Sequence, residues 1–226
     1  MKRIFSVLWS SVGKKYISGI TGLMLFSFLV VHLVGNFTLL SGAETFNSYA
    51  HFLEGLAHGW FIYAAEAVLI VLFVSHVIAG IAVTVDGWRA RPESYKKNRN
   101  AGGASMKSWS SRTMFYTGLI ILVFLPIHIV MFKFGGAGMV ESDGASMKDF
   151  FTLVTVDFTN PYIAFGYGAV MFLVGMHLKH GFWSAFQSLG LNTIEWKTVL
   201  HRLALVMAIF VGGGFLLLPL YFYLSQ

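Results

Sequence analysis

The chain has 226 residues, 56% of them hydrophobic and only 12% charged, with a formal net charge of +6 and no cysteine. A mean hydropathy of +0.69, with about half the ~25% charged residues of a soluble domain, excludes an ordinary soluble fold. The missing cysteines exclude disulfides, thiolate metal sites, protein-ligated iron–sulfur clusters and covalent c-type haem attachment.

Five apolar runs each reach the roughly 20 residues that a membrane-crossing helix needs. The expected class is therefore an all-α integral membrane protein, with residues 1–226 as a single transmembrane domain. The first run, 16–40, is too long and too punctuated by glycine for a cleaved signal, and reads as a span. It contains TGLMLFSFLVVH at 21–32. An outer connector carrying His51 and His58 in or beside it leads to the second run, 59–85, which holds Glu66 and FVSHVIAG, ending at Gly80. A basic connector, 87–112, precedes the third run, 113–134, which contains TGLIILVFLPIH at 117–128. Residues 135–160 form a Gly/Ser/Asp-containing connector, and the fourth run, 161–186, holds VGMHLKHG, ending at Gly181. The fifth run is 199–224.

A net positive charge would suit nucleic acid if it gathered on one face, but here it alternates along the chain. Lys2, Arg3, Lys14 and Lys15 precede the first span, and Arg89, Arg91, Lys96, Lys97, Arg99, Lys107 and Arg112 fill the connection between the second and third. Lys179, Lys197 and Arg202 flank the short connection before the fifth. The first connector has Glu44 and Glu54 but no Lys or Arg, and Lys133 and Lys148 in the third face Glu141, Asp143, Asp149 and Asp157. This positive-inside asymmetry places the N-terminus and the basic loops in the cytoplasm and the C-terminus outside; the expected location is a bacterial cytoplasmic membrane.

The two dodecamers share Thr, Gly, Leu, Phe, Leu and a final His at matching offsets, and the second pair of motifs shares a His four residues before a Gly. At ~1.5 Å per residue, His32 and His128 lie ~25 Å and ~24 Å along outward-running helices. His76 and His177 each lie ~15 Å short of the cytoplasmic end of an inward-running helix. Two layers result, each taking one histidine from each half. An ionisable side chain in hydrocarbon is costly and points to function. Four at matched depths suit two stacked haems, each held by two imidazoles inside an antiparallel bundle of the first four helices.

Gly80 and Gly181, one turn beyond the inner histidines, would let a porphyrin approach the backbone, and Gly22 and Gly118 would serve the outer pair comparably. His180 competes with His177 as ligand; the match to His76–Gly80 favours His177 and leaves His180 to a propionate or to water. Arg112, Lys15, Lys179 and Arg202 would meet inner propionates or serve as interface anchors. Glu66 would relay protons at an outer quinone site or sit protonated against a neighbouring helix; His51 and His58 are weaker candidates for that site. Pro126 frees the Leu122 carbonyl and would bend the third span. Trp9, Trp60, Trp88, Trp109 and Trp183 read as an interfacial belt.

TGLMLFSFLVVH, SHVIAG, TGLIILVFLPIH and HLKHGFWSAFQSLG resemble the single-chain, five-helix, dihaem cytochrome b anchor of succinate dehydrogenases and fumarate reductases. The resemblance runs from Ser10 to about Arg202. It implies that His76 and His177 hold the haem nearer the cytoplasm and His32 and His128 the outer one. It also implies a flavoprotein subunit carrying FAD and an iron–sulfur subunit on the cytoplasmic side. Quinone, with menaquinone as the first candidate, would react at the membrane subunit, and a higher oligomer of the complex stays open. Some fumarate-reducing members carry a Glu two residues before the fourth-helix ligand; here that position is Gly175. Two other readings are the cytochrome b of a hydrogenase or formate dehydrogenase, and a haem-free transporter using the histidines as proton relays.

Overall fold

The structure, a computed structural model, describes residues 6–90, 109–142 and 145–226, without the side chains at 109–112, 142 and 145. Lys2, Arg3, Arg91, Lys96, Lys97, Arg99, Lys107 and Asp143, and the side chains of Trp109 and Arg112, therefore lie outside the described residues.

Five helical stretches are long and apolar enough to cross a membrane. The first is α1 (Ser11–Phe37), begun by Ser10, whose side chain accepts from the Gly13 amide at 3.0 Å. It starts five residues before the apolar run because a cap sets the end of a helix, and Lys14 and Lys15 fit its first turns. A 3₁₀ turn (Thr38–Ser41) leads to α2 (Ala43–Gly55), at the end that the charge pattern assigns to the outside. The second span is α3 (Trp60–Arg89) and the third α4 (Trp109–Phe132), with Pro126 inside it. An antiparallel hairpin follows, β1 (Gly138–Ser142) with β2 (Ala145–Asp149), pairing Val140 with Met147. The short α5 (Phe150–Asp157) then leads to α6 (Pro161–Ser188), capped by Asn160 with proline at its first turn. The fifth span combines α7 (Ile194–Ala208), a π-helical turn (Ile209–Gly213) and α8 (Gly214–Leu224).

The hairpin departs from the all-α expectation, and the two outer connectors are structured rather than irregular. Asn47 of α2 explains their order. Its amide donates to Asp149 Oδ1 (2.9 Å) and accepts from the Phe151 amide (2.9 Å), so one buried side chain ties α2 to the hairpin and α5. Both halves of the amide are bonded, which removes the cost of burying it.

α6 is the hub. It packs against α1, α4, α7, the π turn and α8, while α3 packs on α1 and more sparsely on α4. The core lies along α6, with Met171, Val174 and Leu178 against Ala208 and Val211, and Phe26, Leu29, Ile121 and Phe124 packed on them. Outward-facing side chains stay apolar: Ile70, Val71, Val123, Val130 and Leu217 are more than half exposed. Such surfaces on every span suit a hydrocarbon solvent, where exposed leucine and valine cost nothing.

At the end assigned to the cytoplasm, Lys14 of α1 forms an ion pair with Asp86 of α3. Trp60 and Trp88 are well exposed, as an interfacial belt requires, but Trp183 is only 4% exposed. It packs against Leu200 and Ala204 of α7, so the assignment of Trp183 to the belt is corrected.

Candidate functional site

The geometry brings the four matched histidines together in two pairs. His32 of α1 and His128 of α4 have ring centroids 6.1 Å apart and near-perpendicular planes (84°). His76 of α3 and His177 of α6 lie 6.4 Å apart at 71°. Two imidazoles that shared one iron between them, each nitrogen at about 2 Å, would have ring centroids roughly 6.3 Å apart. Both pairs fit that span. Among the described residues, no group of three or more His, Cys, Asp or Glu gathers to hold a metal ion.

The outer pair sits among aromatic rings. Phe28, one turn before His32, stacks on it (5.4 Å, 14°), and Phe124, one turn before His128, stacks on it in the same way (5.7 Å, 28°). The shared Phe of the two dodecamers is thus the ring that sets each imidazole plane. Phe215 of α8 closes against His32 at 5.5 Å, and Tyr167 of α6 against His128 at 6.1 Å. Asn36 Nδ2 donates to the His32 carbonyl (2.7 Å) and lies 3.4 Å from its Nδ1. His128 Nδ1 is buried with no hydrogen-bond partner among the described residues.

The inner pair is held by polar groups. His76 Nδ1 lies 3.1 Å from the Ser18 carbonyl and 3.3 Å from Thr21 Oγ1. His177 Nδ1 lies 3.1 Å from Thr117 Oγ1. A Cβ on Gly22 would stand 3.0 Å from His76 Cε1, and one on Gly118 would stand 3.3 Å from His177 Cε1. The Thr-Gly of each dodecamer therefore cradles an inner histidine from the neighbouring helix. This corrects the expected role of Gly22 and Gly118 beside the outer pair. Eleven residues separate Thr21 from His32 and Thr117 from His128. That is about three helical turns, so the cradle and the histidine of the other pair share one helix face at two depths. The repetition of Thr-Gly was visible in the sequence; its partner was not, because the contact is made across helices.

The remaining candidates separate. His180 packs edge-on to Trp183 (5.1 Å), and Trp183 in turn meets His201 of α7 (4.4 Å). Gly181 faces Met114 Cε, and a Cβ on Gly80 would meet nothing within 4 Å. Glu66 is ion-paired with Lys133 and its side chain is 31% exposed, so it is not buried against a neighbouring helix. His51 on α2 and His58 in the turn before α3 are both exposed and removed from the paired imidazoles. At Gly175, an added Cβ would stand 3.3 Å from the Ala208 carbonyl and 3.5 Å from Gly212 Cα, so a carboxylate there has no room.

A Bacillus subtilis (strain 168) protein named succinate dehydrogenase cytochrome b558 subunit is 35% identical to this chain over 104 residues. The similarity covers 45% of this chain and 45% of that relative, so less than half of either length is matched. No protein-family model and no solved structure matches the chain.

Proposed function

We propose that this chain is the membrane-anchor cytochrome b subunit of a succinate:quinone oxidoreductase. The observation that carries the reading is the pairing of four intramembrane histidines at two levels, with centroid separations of 6.1 and 6.4 Å. The partial similarity to a succinate dehydrogenase cytochrome b558 subunit supports it independently.

On this reading His76 and His177 hold one haem b on the cytoplasmic side, and His32 and His128 hold a second toward the outer face. Bound haem b would supply one-electron transfer between an iron–sulfur subunit and membrane quinone, with menaquinone as the first candidate. The chain's own work is to hold two imidazoles per site in fixed planes and to keep water out. The aromatic rings of Phe28, Phe124, Phe215 and Tyr167 serve the outer site. Two histidines would hold each haem, and such a group would supply electron transfer rather than oxygen binding. The ion pair of Glu66 with Lys133 lies on the outer side and is the candidate proton-handling group for quinone chemistry there. The described cationic residues on the opposite side, Lys15, Lys179 and Arg202, suit docking of a flavoprotein and an iron–sulfur subunit and fit a cytoplasmic N-terminus and an outer C-terminus.

The test is haem stoichiometry and low-temperature redox spectroscopy of the tag-captured complex, with its co-purifying subunits identified. Two low-spin b haems per chain, reducible by succinate through a flavoprotein and an iron–sulfur protein, are expected. One haem, or none, overturns the proposal. Capture of a hydrogenase or a formate dehydrogenase instead would transfer the chain to that class.

A further inference from the structure

The two pairs of imidazoles differ in one respect that bears on which ring nitrogen is available and how strongly it donates. At the inner pair every Nδ1 faces oxygen. The Ser18 carbonyl, 3.1 Å from His76 Nδ1, can only accept. The Thr21 hydroxyl spends its single hydrogen on the Ile17 carbonyl at 2.6 Å, so toward His76 Nδ1 it too can only accept. Thr117 repeats the arrangement: its hydroxyl donates to the Met114 carbonyl at 3.0 Å and turns a lone pair to His177 Nδ1 at 3.1 Å. At His76 Nδ1 must carry the ring proton, because the Ser18 carbonyl can only accept; at His177 the same tautomer follows from the Thr117 hydrogen being given to Met114. Nε2 is then left with its lone pair free.

At the outer pair this arrangement is missing. His128 Nδ1 has no hydrogen-bond partner among the described residues, and the polar group at His32 is the Asn36 amide nitrogen, a donor. Aromatic rings fix those imidazoles instead.

We infer that Thr21 and Thr117 are positioning residues that lock the inner histidines in the Nδ1–H tautomer, presenting Nε2 to the metal and making the inner pair the more strongly donating one. The inference rests on the proposed haem ligation. An Nδ1–H that donates to oxygen gives its imidazole partial imidazolate character. A more basic ligand favours ferric over ferrous iron and lowers the midpoint potential. The same Thr-Gly unit supplies the space, since Gly22 and Gly118 leave the edge of each ring room to approach.

The experiment is a redox titration of the captured complex carrying Thr21→Val or, separately, Thr117→Val, followed at low temperature in the α-band. The inner haem is assigned by its loss in His76→Ala. Valine keeps the shape of threonine and removes only the hydroxyl. Each variant is expected to move the inner midpoint upward and leave the outer one in place, Thr117→Val by more, because the Ser18 carbonyl still accepts from His76 Nδ1 in Thr21→Val. The inner low-spin ferric electron paramagnetic resonance signal should shift with it. Thr21→Ser and Thr117→Ser restore the hydroxyl and should return both readouts to the parent values. Selective loss of the inner haem in a valine variant, rescued by serine, supports the same role. Two bound haems with unmoved midpoints in both valine variants would overturn the inference while leaving the proposed function standing. A parent complex without haem would overturn the proposed function itself.

Discussion

Each residue at the paired imidazoles has a narrow tolerance, because a ring must be aimed as well as present. Replacing His76 or His177 by alanine is expected to remove the inner haem alone, and replacing His32 or His128 the outer alone, as read in low-temperature difference spectra. His180 packs on Trp183, whereas His177 faces His76. Loss of a haem in His180→Ala with both retained in His177→Ala would show the ligand assignment to be wrong. Gly22→Ala would set a methyl 3.0 Å from His76 Cε1, against a ring whose Nδ1 is already tethered. The imidazole must then tilt, and most of the inner-haem absorbance should be lost while the outer remains. Backbone conformation matters at another place. Ala57 (φ 51°) and His58 (φ 57°) are consecutive left-handed residues before Gly59 (φ 87°). A left-handed residue with a Cβ costs roughly 1 kcal/mol, so His58→Gly should stabilise the protein by about that much in thermal unfolding.

At the scale of elements, two joints decide the arrangement. The first is the crossing of α6 with the π turn, where a Cβ on Gly212 would lie 2.6 Å from Gly175 Cα. Backbone meets backbone there, so a leucine at Gly212 has no flexible neighbour to displace. Overpacking of that kind costs about 1–3 kcal/mol. The crossing also brings Phe215 onto His32, so Gly212→Leu should lower both melting temperature and outer-haem occupancy. The second joint is the Asn47 clamp on the outer side. Asn47→Ala leaves the Phe151 amide without its partner, at a cost of roughly 1–3 kcal/mol, and should speed hydrogen exchange in β2 and α5 without altering haem content. Hydrogen bonds from Thr152 and Asn47 hold the Asp149 carboxyl below its ordinary value. A lowered folded value means the contribution is complete above the ordinary carboxylate range and is lost as pH falls below it. Exchange protection of α5 should therefore fall on acidification below about pH 4, and Asp149→Asn should flatten that dependence.

At the scale of the molecule, the spans pack along α6 and turn apolar side chains outward, so lipid rather than water completes the fold. On the proposed reading electrons cross this solvent through two sites of different character, one hydrogen-bonded and one enclosed by aromatic rings. The cationic cytoplasmic rim should raise the inner midpoint relative to the outer, and the threonine bonds should offset part of that rise. Removing those bonds would then widen the gap between the two midpoints.

Much of this was legible in one dimension. Five spans follow from uninterrupted apolar length, since a helix satisfies its whole backbone within one segment in hydrocarbon. The two histidine levels follow from the fixed rise of a helix: once direction is known, position converts to depth. Rise alone cannot tell which helices are neighbours. Only packing showed that Thr-Gly of α1 serves His76 of α3, that Trp183 is core rather than belt, and that Glu66 faces Lys133. The order of the outer connectors was likewise hidden, because Asn47 and Asp149 stand 102 residues apart and meet only in the folded chain. Local periodicity and hydropathy determine elements and depth; contacts between distant segments, which decide what each side chain touches, exist only once the helices have chosen their partners.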